Sequence, residues 1–266
     1  MVRICTSGVV GSLLATVGLA SPALAQDQTP KEPWRTRIGL GAQVEPGYPG
    51  ADRGKLRPLV SVSRARGDRL FDFEAPDESF GFPVVRSGKF ALGPALAFQG
   101  RRSAKDVGGN LPSVGFTLEA GAFAQYSVSD HLRVRAEVRK GLGGHKGLVS
   151  DVGADFISRD GDKWLFSIGP RVTIADRTYQ AAYFGVTPID AVASGLQAYS
   201  ARGGLVSAGA AASYLTQVSS RWGLNSYAKY ERLVGNAARS PIVTNFGSRN
   251  QFSGGLAATY TFGGPR

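Results

Sequence analysis

The chain has 266 residues, with 31 Lys and Arg against 20 Asp and Glu, a formal charge of +11, 36 glycines and one cysteine. After residue 25 no apolar run approaches the roughly 20 residues that a membrane-spanning helix needs, which excludes a helical membrane protein but not one that crosses with strands. A lone cysteine, Cys5, excludes an internal disulfide and a thiolate metal site.

At the N-terminus Arg3 supplies a short positive region, residues 8–20 an apolar core, and Ala23-Leu24-Ala25 a small-x-small cleavage signal. This pattern predicts an export signal over 1–25, removed so that the mature chain begins near Gln26. Cys5 lies at the start of that signal and not at its cleavage site, so a lipid-modified cysteine is not expected. The mature protein then has none, which fits passage through an oxidising periplasm. Export also argues against nucleic acid as the partner of the basic excess. Lipopolysaccharide phosphates, acidic glycans or counter-charges inside the protein remain. Residues 26–266 contain no linker-like stretch and read as one domain.

Twelve strand candidates follow, at about 34–45, 57–66, 69–76, 79–86, 89–99, 114–127, 131–140, 147–158, 163–175, 204–217, 221–233 and 250–262. The clearest is the seventh, where Leu132, Val134, Ala136 and Val138 alternate with Arg133, Arg135, Glu137 and Arg139. Only a period of two separates those sets, because a helix would scatter the charges around its circumference. Tight turns are predicted at Arg66–Asp68, Arg86–Lys89, Ser127–His131, Arg159–Lys163 and Val218–Arg221. Most connections between them are longer, at 46–56, 100–113, 141–146, 176–203 and 234–249, with 77–78 a short exception. An even strand number with short turns on one side and long loops on the other is the asymmetry of an outer-membrane barrel. Aromatic residues near strand ends, among them Trp34, Phe80, Phe82, Phe90, Phe98, Tyr126, Trp164, Trp222, Tyr230, Tyr260 and Phe262, suit girdles at headgroup level.

Alternation alone leaves sidedness open, since a soluble lipocalin-like barrel would turn its apolar face inward. The strand number, the membrane-spanning strand lengths and a polar face rich in Gly, Ser and Thr favour the inverted arrangement. The fold class is therefore all-β, a single transmembrane antiparallel barrel of about 12 strands. Its lumen-lining candidates are Arg35, Arg37, Arg133, Arg135, Glu137, Arg139, Arg171, Lys229 and Glu231. Asp72, Glu74, Glu119, Asp151 and Asp155 are further acidic partners on inward parities. An arginine track for anionic solutes and a sealing network of ion pairs are both consistent with them, and the near-equal charge numbers favour the seal.

In loop 176–203, Thr187 suits an N-cap, Pro188 the first helical position, Asp190 the dipole and Gly195 the stop, predicting a short helix. That loop either folds inward as a plug or lies outside as a lid. Tyr183, Phe184, Gly185, Ser194, Gly195, Ser240 and Pro241 are the candidates for this closure. Catalysis finds no support, since His131 and His145 fall at opposite ends of a strand with no evident partner. No His, Asp or Glu cluster has ligand spacing, and Gly39-Leu40-Gly41 is followed by no helix, so no metal or cofactor is expected.

Several blocks carry a resemblance that spans nearly the whole mature sequence. They are Pro46-Gly47-Tyr48-Pro49-Gly50-Ala51-Asp52, Gly-Leu-Gly-Gly-His-Lys-Gly at 141–147, Ala175-Asp176-Arg177-Thr178-Tyr179, and Tyr183-Phe184-Gly185-Val186. Ser194-Gly195-Leu196 with Tyr199, Tyr230-Glu231-Arg232-Leu233 and Ser240-Pro241-Ile242-Val243 complete the set. In their order and spacing the chain resembles the MipA/OmpV family of outer-membrane proteins. It departs at the end, where Gly263-Gly264-Pro265-Arg266 follow the aromatic Phe262. The resemblance implies an integral outer-membrane barrel in contact with lipid and lipopolysaccharide. It also implies a scaffold that brings a lytic transglycosylase together with a peptidoglycan synthase. A small-solute, anion-preferring channel and a loop-mediated adhesin are the alternatives.

Overall fold

The computed structural model describes residues 32–263. The export signal expected at 1–25 and the terminal Gly264-Pro265-Arg266 lie outside the described residues. Alternating residues form one antiparallel sheet from β1 (Trp34–Pro46), β2 (Gly54–Arg66), β3 (Phe80–Gly81), β4 (Val85–Ser87), β5 (Phe90–Gln99) and β6 (Thr117–Ser129). It continues through β7 (Leu132–Gly143), β8 (Leu148–Asp160), β9 (Trp164–Ala175), β10 (Gly204–Gln217), β11 (Trp222–Leu233) and β12 (Asn250–Phe262). Around the wall the order is β2-β1-β12-β11-β10-β9-β8-β7-β6-β5, and β3 and β4 both pair with the far edge of β5. First and last strands meet, from Thr36 opposite Phe262 to Val44 opposite Gly254.

Sidedness follows from burial. Arg133, Arg135, Glu137 and Arg139 of β7 are 3–7% exposed, whereas Val134 and Val138 on the same strand are 37% and 53% exposed. The outer wall is an apolar band that includes Leu40, Val62, Leu96, Phe156, Ile168 and Leu256. Rings cluster at its two rims. At the short-turn end Trp222, Tyr260 and Phe262 meet edge to face in succession, with centroids 4.9 and 4.7 Å apart, and Arg66 covers Trp34. At the long-loop end Tyr230 meets Phe252 at 4.9 Å and Phe98 meets Phe116 at 6.2 Å. Apolar side chains on the outside and charge on the inside is thus the arrangement found.

Tight curling needs glycine at a few lumenal positions. A Cβ on Gly169 would lie 1.7 Å from the Ala154 carbonyl oxygen of β8, a backbone atom that cannot yield. Gly169→Val is expected to abolish most of the folded, faster-migrating species on unheated gels. By contrast, Gly88→Ala at the open β4–β5 turn (φ +56, nothing within 4 Å) should cost only roughly 1–2 kcal/mol of left-handed strain.

One region overturns the sequence reading. Residues 69–76 form no strand, and 79–86 yields only β3 and β4, interrupted at Phe82-Pro83-Val84. Pro76 and Pro83 cannot donate to a ladder. Moreover, Phe71 and Phe73, placed by parity on the lipid face, instead lie under arginines inside the barrel. The Arg37 and Arg35 guanidinium groups sit 4.1 and 4.8 Å from the Phe71 ring, and Arg133 sits 4.4 Å from Phe73. Residues 67–79 therefore run as a strap through the lumen.

The long loops carry short helices: α1 (Arg177–Phe184), α2 (Pro188–Ser194), α3 (Gly235–Arg239) and α4 (Pro241–Phe246), plus one 3-10 turn at Ala104–Val107. Helix α2 has the expected ends, with Thr187 as N-cap in a capping box, Pro188 first and Gly195 left-handed at the stop. The other three helices were not expected.

Candidate functional site

The lumen is a layered charge network, built because each strand turns every second side chain inward. Arg133 of β7 reaches Asp155 of β8 at 2.7 Å, Glu78 of the strap and the Phe73 carbonyl at 3.2 Å. Asp155 also accepts from Arg171 of β9 at 2.7 Å, and Arg171 grips Asp77 of the strap with two bonds of 2.8 and 3.1 Å. Lys229 of β11 lies between Asp77 (3.7 Å) and Glu231 (2.9 Å). Higher up, Arg139 gathers Glu119 (3.0 Å), Asp151 (2.5 Å) and Glu137, while Arg135 pairs with Glu137 at 2.7 Å and covers the Phe123 ring at 3.7 Å. Near the turn end Asp162 holds Arg35 at 3.1 Å, Arg159 at 2.9 Å and the Phe71 amide at 3.2 Å. Buried charges persist only when so partnered. Between strap and wall remains a cavity of about 1240 Å³.

Above the network the long loops pack into a cap. Tyr183, Phe184, Val186, Ile242, Val243, Ala237, Leu111, Val107 and Tyr48 form a continuous apolar cluster, with Tyr183, Phe184 and Ala237 wholly unexposed. Side chains staple its backbone: Ser240 Oγ donates to the Phe184 carbonyl at 2.7 Å, and Arg102 donates to the Tyr183 and Pro112 carbonyls at 2.8 and 3.0 Å. His145 joins cap to network. Its Nδ1 accepts from the Gly147 amide at 3.1 Å, so Nε2 carries the proton donated to Glu119 at 3.0 Å. The His145 ring lies edge-on to Tyr179, 4.8 Å between centroids. Burial, with Glu119 nearby, pushes the Tyr183 phenol upward. Asp106, in the 3-10 turn, is partly buried, but bonds from Ser103 hold its carboxyl below the usual range.

The structure places Arg35, Arg37, Arg133, Arg135, Glu137, Arg139, Arg171, Lys229 and Glu231 on the inner face. Arg37 differs from the rest: among the described residues it forms no ion pair and stacks on Phe71. Asp72 lines the cavity and pairs there with Arg86 at 2.6 Å, more exposed than the acids of the network. Within the cap, Tyr183 and Phe184 are core, Gly185 ends α1, and Ser240 and Pro241 start α4. Ser194 and Gly195 end α2, whose Ile189 and Val192 are exposed. Loop 176–203 is thus both alternatives at once, with α1 seated in the mouth and α2 outside. Asp77, Glu78 and Asp162 were missed as partners, although four acids within Asp72–Glu78 were a visible signal. His145 was read as partnerless, and Glu119 corrects that.

A family model described as MltA-interacting protein MipA matches residues 38–262. No curated protein sequence matches the chain. Among solved structures, the KdgM porin is similar over 86% of this chain and 99% of its own, at 10% identity and a TM-score of 0.37. An outer membrane channel from Pseudomonas putida F1 matches 89% of this chain and 99% of its own, at 10% identity and 0.41. For the CymD monoaromatic hydrocarbon channel the figures are 87%, 88%, 9% and 0.33.

Proposed function

The chain belongs to the MipA family of MltA-interacting proteins and is an outer-membrane β-barrel, and we propose that it serves there as a scaffold for peptidoglycan-remodelling enzymes. The observation that carries this reading is a lumen stoppered twice, by the strap from below and by the cap from above. A barrel so filled offers surfaces more than passage. The family's name supports a lytic transglycosylase as one partner, and a peptidoglycan synthase would be the other. The periplasmic rim offers Arg66, Arg86, Lys89, Lys163 and Arg221, all exposed, as a basic surface for an acidic patch on such a partner.

Wild-type barrel in planar bilayers is expected to give no stable conductance, while the detergent-solubilised barrel captures a purified lytic transglycosylase. Reversing Lys163 and Arg221 to Glu should lower that capture and its salt dependence. Stable steps from the wild type with no capture would defeat the scaffold. The arginine-lined cavity favours a second reading, a small-solute channel preferring anions, and such steps would carry it.

A further inference from the structure

The wall has an odd number of positions. With β3 and β4 sharing one place, eleven positions run from β2 round to β3, each antiparallel to its neighbours. Consequently β2 and the β3–β4 strand at the two free edges point the same way. Antiparallel closure needs an even number, so one strand of opposite direction is missing between them. Among the described residues no ladder joins β2 to β3 or β4. Free edges of this kind are not tolerated in hydrocarbon.

The segment that links those edges runs in the missing direction. Residues 67–79 leave the turn end at Arg66 and rise to Phe80, which pairs with Leu96 well up β5. Turn bonds already exist at both ends, from the Arg69 amide to the Arg66 carbonyl and from the Glu78 amide to the Ala75 carbonyl, each 3.1 Å. Extended from the first turn, the register sets Arg64 opposite Phe71, Val62 opposite Phe73 and Val60 opposite Ala75 on the lipid face. On the lumen face it sets Ser63 opposite Asp72 and Ser61 opposite Glu74. Apolar or amphipathic residues thus meet apolar ones outside, and polar meet polar inside; a one-residue slip would reverse every match. The Gly67 amide donates to the carbonyl of Pro33, just before β1, at 3.0 Å, so alternation turns the backbone groups of Arg64, Val62 and Val60 away from β1 and toward the gap. Asp72 already touches Arg86 of β4 from the lumen side.

We propose that residues 67–79 are the twelfth wall strand, exchanging between the lumenal position seen here and the gap between β2 and β3. In the wall position they open a cationic vestibule to small anionic solutes such as phosphate. The exchange trades two kinds of interaction. Asp77 leaves Arg171 and Lys229, and Glu78 leaves Arg133 and Arg135, so guanidinium groups in the lumen lose partners that a solute anion replaces. In return the strap gains ladder bonds on both edges, and Phe71 and Phe73 pass from arginine faces to lipid. Gly67, at φ +51, is the hinge. This inference does not depend on the scaffold reading.

The test is a disulfide between Ser61→Cys and Glu74→Cys, with Cys5 replaced by serine, in outer-membrane vesicles. In the wall register these two form a non-hydrogen-bonded pair, with Cα atoms about 4.5 Å apart, within the span a disulfide bridges. Glu74 makes no hydrogen bond or ion pair among the described residues, so its replacement does not loosen the strap. Ser167→Cys with Ser213→Cys, whose hydroxyls lie 2.7 Å apart across β9 and β10, reports that the barrel is folded. Both pairs are expected to oxidise, the first several-fold faster when Asp77→Asn and Glu78→Gln release the strap. Oxidised Ser61→Cys/Glu74→Cys protein should bind inorganic phosphate several-fold tighter than the reduced form. Failure of the first pair to close where the control closes overturns the exchange. Equal phosphate affinity in the two forms overturns the vestibule. If the released variant does not fold, the pair in the otherwise native chain still decides.

Discussion

Arg133→Ala is expected to destabilise the barrel by about 3–5 kcal/mol, the usual penalty for removing one partner from a buried charge cluster. Arg133 is 3% exposed and binds Asp155, Glu78 and the Phe73 carbonyl at once. Without it the Glu78 carboxylate keeps Arg135, at 3.7 Å, and the Ala75 amide, at 3.2 Å, and Phe73 loses its guanidinium face. Urea unfolding in lipid vesicles, followed by tryptophan fluorescence, would show the midpoint falling. Adding Glu78→Gln to Arg133→Ala should restore part of the loss, because the penalty comes from an uncompensated charge more than from lost packing. If Arg133→Ala unfolds at the wild-type midpoint, the charge network is not what holds the strap.

Phe184→Ala is the second large expectation. The side chain is wholly unexposed in the cap, surrounded by Tyr183, Ile242 and Val243. Its truncation should remove about 3–5 kcal/mol. The loss should be local, since the cap is made of loops whose packing can open while the wall stays hydrogen-bonded. Protease added outside intact cells is therefore expected to cut within 177–203 and 235–249 in the variant and not in the wild type, with the folded band on unheated gels unchanged. A variant as resistant as the wild type would show that the cap does not depend on this ring.

How far local pattern reaches is visible in two segments of similar alternation. In β7 the period of two named the right faces, because lipid outside and charged neighbours inside both reward it. In 69–76 the same period put Phe71 and Phe73 against lipid, yet they lie against Arg37, Arg35 and Arg133. An aromatic face is satisfied by a hydrocarbon chain or by a guanidinium, and nothing within the segment says which is near. The acids beside them, Asp77 and Glu78, had cations waiting on β7, β9 and β11, strands far ahead in the chain. For α2 the local signals sufficed, since capping depends on Thr187, Pro188, Asp190 and Gly195 alone. Helix α3, with no side-chain cap at Val234, owes its form to packing, whereas Asp176 caps α1 and Ser240, followed by Pro241, caps α4.

Strand positions outside 67–87, the inward set of charges, the turn-and-loop asymmetry and the family follow from the order of residues, because side-chain period and short-range turns are local properties. Whether the lumen is open, which carboxylate meets which arginine, and where the strap lies were decided by the curl of the wall, which brings distant strands within ion-pair distance.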